Sequence, residues 1–427
     1  MPCSAATRWV RAALLLALVA VASAATAAPK TITVWTRVAF NSLEADAVKR
    51  SVAAFNRSQT AYRVELFSSN YRSYADWVQS SAGTGTLPCL LEIDGPFLAE
   101  FAWPGYLQPM DRFVSAELRR DLLPSIVAQG TYDGHLYSLG QFDSGLGLWA
   151  NRRYLRAAGV RIPTVARPWT LAEFEQAMDK LARVPGVDYP LNLALYTGAS
   201  EFFAYAYLPI LAGFGGDFID RGTHLKARGV LDGPASVAAM RRLQMWLGKG
   251  WTQAVRDRND DFEKRRTALL WTGHWKYASL HEALGDDLVL LPLPDLGHGL
   301  KTGMGSWSWS ITSACPDPAG AWAFLSHLMS VDEILRMTNS NGAVPARRSA
   351  LARSALYGPR APLQVFAQQL FSGAGVPRPV TPGYSTISKS FATAVSAILD
   401  GADAQAELTR AAQAIDDDIA ANRGYPR

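Results

Sequence analysis

The sequence predicts an α/β protein built from two lobes, each a mostly parallel sheet flanked by helices. The chain has 427 residues, well beyond the roughly 250–300 at which one hydrophobic core stops growing, so two domains are expected. Early in the chain, strand-like patterns at residues 30–38, 62–69 and 87–95 alternate with helix-like segments. Such alternation is typical of a parallel sheet that helices cover on both faces.

The two segments between these strands have helical periodicity. In the first, apolar residues recur at helical spacing and would share one face: Leu43, Ala47, Val48, Val52 and Phe55. The second ends near Gly83, a residue type that commonly terminates helices. Both helices are therefore expected to pack on the sheet that the flanking strands form.

The rest of the chain carries strand, loop and helix signals in turn. Two extended runs lie within residues 130–155, and Thr170 with Glu173 forms a capping box before an amphipathic helix. A glycine-rich loop follows at residues 213–220, and a strand pattern returns at residues 303–312. Beyond it the chain is mainly helical, and no internal repeat is recognisable.

The N-terminal residues 1–28 predict a cleaved secretory signal peptide. Arg8 and Arg11 precede an apolar run at residues 12–22, and the "ATA" ahead of Ala28 fits an A-x-A cleavage site. The apolar run is too short to cross a bilayer as a helix of the mature protein. We therefore expect an exported, periplasmic protein.

Composition and motifs exclude several classes of function. The chain is 49% apolar and 19% charged, which is a globular composition. Loss of Arg8 and Arg11 with the signal lowers the net charge from +5 to +3, too mild to indicate nucleic-acid binding. The histidines and cysteines lack metal-ligand spacing, and no nucleophile or phosphate-loop motif is present. No metal, cofactor or catalytic residue is expected.

Ordered segments along nearly the whole mature chain carry a resemblance to a known family. They include "ITVWT", "LLEIDGPFLAEFAWPGYLQPMD", "DSGLGLWANRRYL", "FGGDFID", "WTGHWKYA", "GSWSWSIT", "GAVPARRSAL" and "RPVTPGYSTISKSF". Together they resemble the solute-binding proteins of bacterial ABC sugar importers, the carbohydrate-binding group that includes maltose-binding protein. Each segment alone is weak, and the order in which they occur makes the resemblance specific.

The resemblance implies the type II periplasmic-binding-protein fold, in which two α/β lobes enclose a ligand cleft. Lobe 1 would comprise residues 29–140 and 303–332, and lobe 2 residues 141–302 and 333–427. Ligands generally bind at the C-terminal ends of strands in open α/β sheets, which agrees with a cleft between the lobes.

The resemblance also indicates which side chains would hold a sugar. Trp275, in the family's W-x-Y position, and Trp307, which follows Gly305-Ser306, would stack on the apolar face of a sugar ring. In a strand Trp307 and Trp309 point the same way, so one could face the ligand while the other packs deeper. Core packing is the alternative for all of these tryptophans.

Charged residues would bind the sugar hydroxyls. Asp94 ends the third strand, Glu44 follows the first, and Asp143 matches a family D-x-G aspartate. Arg347 matches an arginine that reaches the site in some family members. Each carboxylate could instead cap a helix or turn, and the arginine could be solvated.

The function that the resemblance implies is binding of a di- or oligosaccharide and its delivery to a membrane permease. The binding protein would act as a monomer that closes its lobes on the ligand. A phosphorylated polyol is the alternative ligand, and a secreted glycoside hydrolase with two carboxylates across a scissile bond is the alternative class.

The fold that the resemblance implies also suggests a disulfide. In it, the strand after Gly305 runs antiparallel to the strand that ends at Asp94, so Cys89 and Cys315 would both lie at the end away from the cleft. Cys3 would leave with the signal peptide. An oxidising compartment permits the remaining pair to form a bond.

Overall fold

The computed structural model describes residues 28–38, 42–68, 71–254 and 259–426, without the side chains of residues 71–73, 75, 76 and 196. Nearly all of the predicted signal peptide lies outside these ranges, so its cleavage stays a prediction. None of the helices within the described ranges combines the length and apolar character needed to span a membrane.

The described chain alternates strands and helices. The strands are β1 Lys30–Thr36, β2 Tyr62–Ser68, β3 Leu90–Asp94, β4 Thr131–Tyr132, β5 His135–Leu136, β6 Ser138–Leu139, β7 Phe142–Asp143, β8 Leu146–Asn151, β9 Tyr189–Asn192, β10 Thr267–Gly273, β11 Leu288–Leu291, β12 Thr302–Met304, β13 Trp307–Ile311, β14 Val344–Pro345 and β15 Gly375–Pro377. The helices are α1 Leu43–Ser58, α2 Tyr71–Thr84, α3 Leu98–Ala102, α4 Ala116–Asp121, α5 Pro124–Gln129, α6 Arg152–Ala157, α7 Leu171–Leu181, α8 Glu201–Gly213, α9 Pro234–Gly248, α10 Tyr277–Leu284, α11 Pro318–Leu328, α12 Val331–Asn341, α13 Arg348–Arg353, α14 Gln364–Phe371, α15 Tyr384–Leu399 and α16 Ala404–Ala421.

The first lobe is built on a sheet with strand order β2-β1-β3-β13-β6. The three early strands are parallel, as predicted, and β13 runs antiparallel to both β3 and β6. Every residue of β3 is buried, in keeping with its almost continuous apolar sequence. The C-terminal ends of β1 and β3 and the beginning of β13 therefore meet at one edge of the sheet.

The second lobe is built on a sheet with strand order β11-β8-β10-β9. β9 and β10 pair in parallel, whereas β8 is antiparallel to both β10 and β11. Both sheets are therefore mostly parallel, as predicted, with one strand in each that runs opposite to the others: β13 in the first sheet and β8 in the second. The cause is that β8 and β13 enter their sheets directly from segments that cross between the lobes, without a covering helix to reverse their direction.

Helix α1 shows why local patterns were informative here. Ser42 caps its first turn by accepting a hydrogen bond from the Ala45 amide, and the predicted apolar face is mostly buried. Leu43 is the exception, because it is 56% exposed at the beginning of the helix, beside the cleft. The predicted capping box of α7 is also present, with Thr170 and Glu173 bonding each other's backbone amides.

Short strand pairs join the crossing segments between the lobes. β7 pairs with β14, and β12 pairs with β15. Helix α12 packs against α1 of the first lobe, and Ser51 Oγ donates to Glu333 Oε2 across that contact at 2.5 Å. The predicted boundary between residues 332 and 333 falls within this helix. It stays a prediction, as do the other boundaries.

The expected disulfide is present. Cys89 and Cys315 are bonded with their Cα atoms 4.2 Å apart. Cys89 lies just before β3 and Cys315 just after β13, and the two strands are antiparallel with Trp307 opposite Asp94. The bond thus joins the two chain segments of the first lobe at the end of the strands away from Asp94.

Candidate functional site

A cleft of about 830 Å³ lies between the two sheets, at the strand ends described above. It takes residues from both lobes and from the crossing segments. Its aromatic and charged lining comprises Arg37, Glu44, Asp94, Phe142, Glu201, Phe202, Tyr205, His274, Trp275, Trp307 and Arg378. A cavity of this volume is in the range that binds small ligands.

Trp307 brings an aromatic face to the first-lobe side of the cleft. It is the first residue of β13 and lines the cleft, while Trp309 is only 2% exposed and packs in the core. The guanidinium carbon of Arg37 lies 4.4 Å from the centroid of the Trp307 ring, a cation–π contact that fixes one face. The expected division between a cleft-facing and a deeper tryptophan matches this placement.

Trp275 brings a second aromatic face, from the opposite lobe. It follows β10 in the 3-10 turn His274–Lys276 and is 39% exposed. Its ring lies over Gly273, where a β-carbon would be 2.1 Å from Trp275 Cζ3. Only a glycine leaves the ring this place, so the sequence "GHW" determines where the platform sits. Trp271, by contrast, is buried and donates its indole N–H to the Ala206 carbonyl.

A buried ion cluster joins the lobes at the cleft floor. Arg378 donates Nη2 to Asp94 Oδ1 at 2.9 Å and Nη1 to Asp94 Oδ2 at 3.0 Å. The same Nη1 lies 2.5 Å from Glu201 Oε1. Burial disfavours the charged guanidinium, but Asp94 and Glu201 nevertheless raise the pKa of Arg378 well above its usual value. Burial raises the pKa of Glu201, and Arg378 opposes that shift.

The glycine before β13 makes room for this cluster. Gly305 has φ +130°, a conformation that side chains rarely adopt. A β-carbon there would lie 2.8 Å from Arg378 Nη2. The Gly305-Ser306 pair singled out in the sequence therefore accommodates an arginine as well as the neighbouring tryptophan.

Glu44 lines the cleft as predicted and is held from two sides. Arg37 Nη2 lies 3.0 Å from its Oε2, and Asn341 Nδ2 donates to its Oε1 at 2.9 Å. Behind it, Arg37 also approaches the buried Glu92 at 3.8 Å. Glu44 is thus oriented by one residue of lobe 1 and by the end of α12.

Asp143 is not in the cleft. It is fully buried in the β7–β14 pair, where it accepts hydrogen bonds from the amide of Ser144 at 2.8 Å and from Gln129 Nε2 at 3.2 Å. Burial raises the pKa of this carboxyl. The structure therefore corrects the prediction that it faces the ligand, because the crossing strand turns its side chain under the hinge.

Arg347 is also outside the cleft. It precedes α13, and its Nε donates to Asp121 Oδ2 at 2.6 Å while Nη1 donates to the Met329 carbonyl at 2.8 Å. The prediction fails because β14 pairs with β7, which aims the following residues at α4 on the far side of the hinge. Asp94, Glu44, Trp275 and Trp307 are the four predicted residues that the structure brings together, and their contact with ligand stays a prediction.

His274 links the cleft to the hinge. Its Nδ1 lies 2.7 Å from the Asn341 carbonyl, which can only accept, so Nδ1 carries the proton. Its Nε2 then accepts from Ser144 Oγ at 3.1 Å, and Ser144 contacts the Tyr205 hydroxyl at 2.8 Å. Burial lowers the pKa of His274 to about 4. The neutral ring thus connects the end of β10 to Asn341 at the end of α12 and to Ser144 just after β7.

The neutral state of His274 predicts an acid-sensitive fold. Its pKa is depressed from the ordinary histidine value of 6.5 to about 4, so the unfolded state binds the proton more readily between these values. Stability should therefore fall by about 3 kcal/mol as pH drops from 6.5 to 4. Urea unfolding across this range should show a shallower pH dependence in His274→Gln, and equal slopes would contradict the prediction.

Sequence reasoning missed Arg378, Glu201 and His274. Arg378 lies in the "RPVTPGY" segment that supported the resemblance, but no local pattern assigned it to the cleft. Glu201 is the first residue of α8, where an acid is explained by the helix dipole alone. His274 adjoins Trp275, and that proximity was the one usable signal. Among the described residues, no group of histidine, cysteine and acidic side chains could hold a metal ion.

Comparison with known proteins agrees with this architecture. A family model described as bacterial extracellular solute-binding protein matches residues 50–358. An uncharacterized lipoprotein from the oleD 5′ region of Streptomyces antibioticus is 26% identical over 326 residues, 74% of this chain and 70% of that protein. A maltotriose-binding protein of Pyrococcus abyssi is 24% identical over 213 residues, which span 49% of this chain and 42% of the relative.

Solved structures share the fold over almost the whole chain. The GacH receptor of Streptomyces glaucescens superimposes with a TM-score of 0.78 at 21% identity, covering 93% of this chain and 98% of the receptor. The sugar-binding protein MalE of Xanthomonas citri gives a TM-score of 0.77 at 20% identity, covering 92% and 98%. With a family match over most of its length and two lobes around a cleft, the chain belongs to the bacterial extracellular solute-binding proteins.

Proposed function

We propose that this protein binds a neutral di- or oligosaccharide in the cleft and delivers it to the permease of an ABC importer. The observation that carries the proposal is the pair of tryptophan faces, Trp275 and Trp307, on opposite lobes of one cleft beside oriented carboxylates. A sugar ring offers an apolar C–H face to such platforms and hydroxyls to such acceptors. Proteins similar to this chain include one named for maltotriose binding.

The charges in the cleft favour a neutral ligand. Arg37 is paired with Glu44, and Arg378 with both Asp94 and Glu201. A phosphate ester needs arginine or lysine donors that can turn to it, and here the carboxylates already engage both guanidinium groups. The phosphorylated polyol that the sequence left open is therefore disfavoured.

The same pairing argues against a glycoside hydrolase. Such an enzyme needs one carboxyl group that gives up a proton and a second that acts as nucleophile or base. Asp94 and Glu201 both contact one guanidinium, which holds them as hydrogen-bond acceptors. We expect binding without turnover.

Ligand binding would act by closing the hinge. A sugar that contacts Trp275 and Glu201 from lobe 2 together with Trp307 and Asp94 from lobe 1 gains most when the lobes are together. A ligand shifts an equilibrium only by its differential affinity for the two states. In this proposal the exported, monomeric, closed protein then docks on the membrane permease.

Thermal unfolding with maltotriose, maltose, glucose and glycerol 3-phosphate tests the proposal. A sugar at 100 times its Kd should stabilise the protein by about 2.7 kcal/mol, and calorimetry should give one site per chain. Chromatography of the protein incubated with each sugar should show no products of sugar cleavage. Stabilisation by glycerol 3-phosphate alone, or cleavage of the sugar, would refute the assignment.

The Trp275 platform should account for much of the affinity. Trp275→Ala is expected to raise the sugar Kd about 30-fold, the size typical of a central aromatic contact. Gly273→Ala should also weaken binding, because its new methyl group displaces the ring from its position. Calorimetric titration of both variants measures these changes.

A double-mutant cycle shows whether Gly273 affects binding only through the position of the Trp275 ring or also in another way. If Gly273 acts only by placing the ring, Gly273→Ala should have no further effect in the Trp275→Ala background. Trp322, stacked on Phe113 away from the cleft, provides a matched control, since Trp322→Ala should leave the Kd unchanged. Additive losses would show that Gly273 affects the site in another way.

A further inference from the structure

Beside the cleft, a row of first-lobe residues faces the second lobe. Asp94, Phe97, Glu100 and Trp103 follow one another at three-residue spacing, from the end of β3 through the turn Gly95–Phe97 to the end of α3. In a helical segment, residues three positions apart are neighbours on the surface. The row therefore forms a continuous edge that leads away from the cleft floor.

Each member of the row meets a residue from the C-terminal part of the chain. Asp94 binds Arg378, and the Phe97 ring meets Tyr384 edge-on with centroids 5.2 Å apart. Further out, Ser385 Oγ donates to Glu100 Oε2 at 2.6 Å. The contacts thus continue along the start of α15, outside the site that would hold the sugar.

The outermost contact is made by Trp103. Its indole Nε1 donates to the Pro426 carbonyl at 2.8 Å, and its ring meets Tyr425 at 5.2 Å with planes at 87°. Trp103 is nevertheless 38% exposed, which is unusual for so large an apolar side chain. An aromatic pair and a hydrogen bond thus connect lobe 1 to the segment that follows α16.

The segment after α16 is positioned by its own lobe before it reaches Trp103. The Tyr425 hydroxyl donates to Asp418 Oδ2 at 2.5 Å. Arg423, Gly424 and Tyr425 all have positive φ angles, of 54°, 76° and 54°. Such a run does not arise from local preference, so lobe 2 holds the segment in a defined shape that presents Tyr425 outward.

The position of this contact makes it sensitive to lobe movement. Trp103 is nine residues beyond Asp94, about 13 Å at the helical rise. A hinge rotation of about 15° moves a point at that distance by about 3 Å, enough to break a hydrogen bond. Asp94 and Arg378 move less, because they adjoin the crossing segment at Gly305.

We propose that Trp103 and the Tyr425–Pro426 segment form an interlobe clasp that exists only in the closed arrangement and sets ligand affinity from outside the cleft. The clasp continues the row that begins at the cleft-lining Asp94, so it lies on the side that closes over the ligand. Its effect on affinity rests on the proposed function, whereas its effect on the lobes does not.

Tyr425→Ala tests the clasp, and Tyr425→Phe is its matched control. The alanine variant removes the ring contact, whereas the phenylalanine variant loses only the hydroxyl's bonds to Asp418 and from Asn422, both within lobe 2. With maltotriose as the probe, Tyr425→Ala is expected to raise the Kd about 10-fold and Tyr425→Phe to leave it unchanged. Trp103→Ala should raise the Kd as much as Tyr425→Ala does, and the double variant should raise it no further than either single variant.

A second measurement needs no ligand. Nitroxide labels on the cysteines of Glu117→Cys in lobe 1 and Lys389→Cys in lobe 2 report the interlobe distance by double electron–electron resonance spectroscopy. Without sugar, Tyr425→Ala should shift the distribution toward the open arrangement, and Tyr425→Phe should resemble the parent. If maltotriose does not bind, the interlobe distance still tests the clasp by itself. Failure of the clasp can therefore be told apart from failure of the proposed function. Unchanged distances together with unchanged affinity, or tighter binding in Tyr425→Ala, would overturn the clasp.

Discussion

Arg378→Ala is expected to destabilise the protein by about 3–5 kcal/mol and to abolish ligand binding. Arg378 is only 5% exposed, and its guanidinium neutralises two carboxylates that are themselves mostly buried. Removal of one partner from a buried ion pair leaves an uncompensated charge, which costs this much. Binding should fail because Asp94 loses both hydrogen bonds that orient it.

The loss of stability in Arg378→Ala should depend on pH, and the direction of that dependence identifies its cause. Without the arginine, burial and the neighbouring Asp94 would raise the pKa of Glu201 further above its unfolded value, because the opposing effect of Arg378 is lost. The contribution of this carboxyl group to the stability of the variant should then be largest at low pH and fall as the pH rises through the raised pKa. Urea unfolding at pH 5 and pH 7 measures the difference between variant and parent, which should be larger at pH 7.

Arg347→Ala provides the control for Arg378→Ala. Arg347 also binds one aspartate at close range, but this pair is partly solvated and lies outside the cleft. Its removal should cost no more than about 1 kcal/mol and leave the Kd unchanged. Arg378→Lys should retain the charge but lose the bidentate geometry. Its loss of stability should therefore lie between those of Arg347→Ala and Arg378→Ala. If Arg378→Ala were as mild as Arg347→Ala, the buried cluster would not support the cleft.

Strand-end positions were the predictable part of the site. Asp94 and Trp307 lie opposite each other because a parallel strand and its antiparallel neighbour put these positions at one sheet edge. Trp275 follows a fully buried strand in the same way. Periodicity and family resemblance both report where strands end, so these residues could be found from the sequence.

The remaining site residues depend on long-range packing that local patterns do not contain. Arg378 reaches Asp94 across 284 positions of sequence, and Asn341 reaches Glu44 across 297. Asp143 was misplaced for the converse reason: its motif fixes the chain position, whereas the pairing of β7 with β14 fixes the side-chain direction. Sequence patterns therefore predicted the positions of segments better than they predicted the contacts of individual side chains.

The disulfide was predictable because the implied strand order placed both cysteines at one end of adjacent strands. Cys89→Ala with Cys315→Ala should lower the free energy of unfolding by about 3–5 kcal/mol. The bond closes a loop of 226 residues, for which chain entropy gives an upper value of about 5 kcal/mol. Urea unfolding of the oxidised parent and the double variant measures the change, and reduction of the parent should reproduce most of it.

Ligand affinity should not follow this loss of stability. Asp94 lies five residues along β3 from Cys89, about 16 Å at the rise of a strand, and Trp307 is similarly far from Cys315. The ladder between β3 and β13 continues over the whole of that distance and keeps the cleft ends in register. The double variant should therefore bind the same sugar with an unchanged Kd at temperatures well below its melting point. A weaker Kd would mean that the distal bond also sets the geometry of the cleft, and a stability equal to that of the parent would mean that the bond does not form.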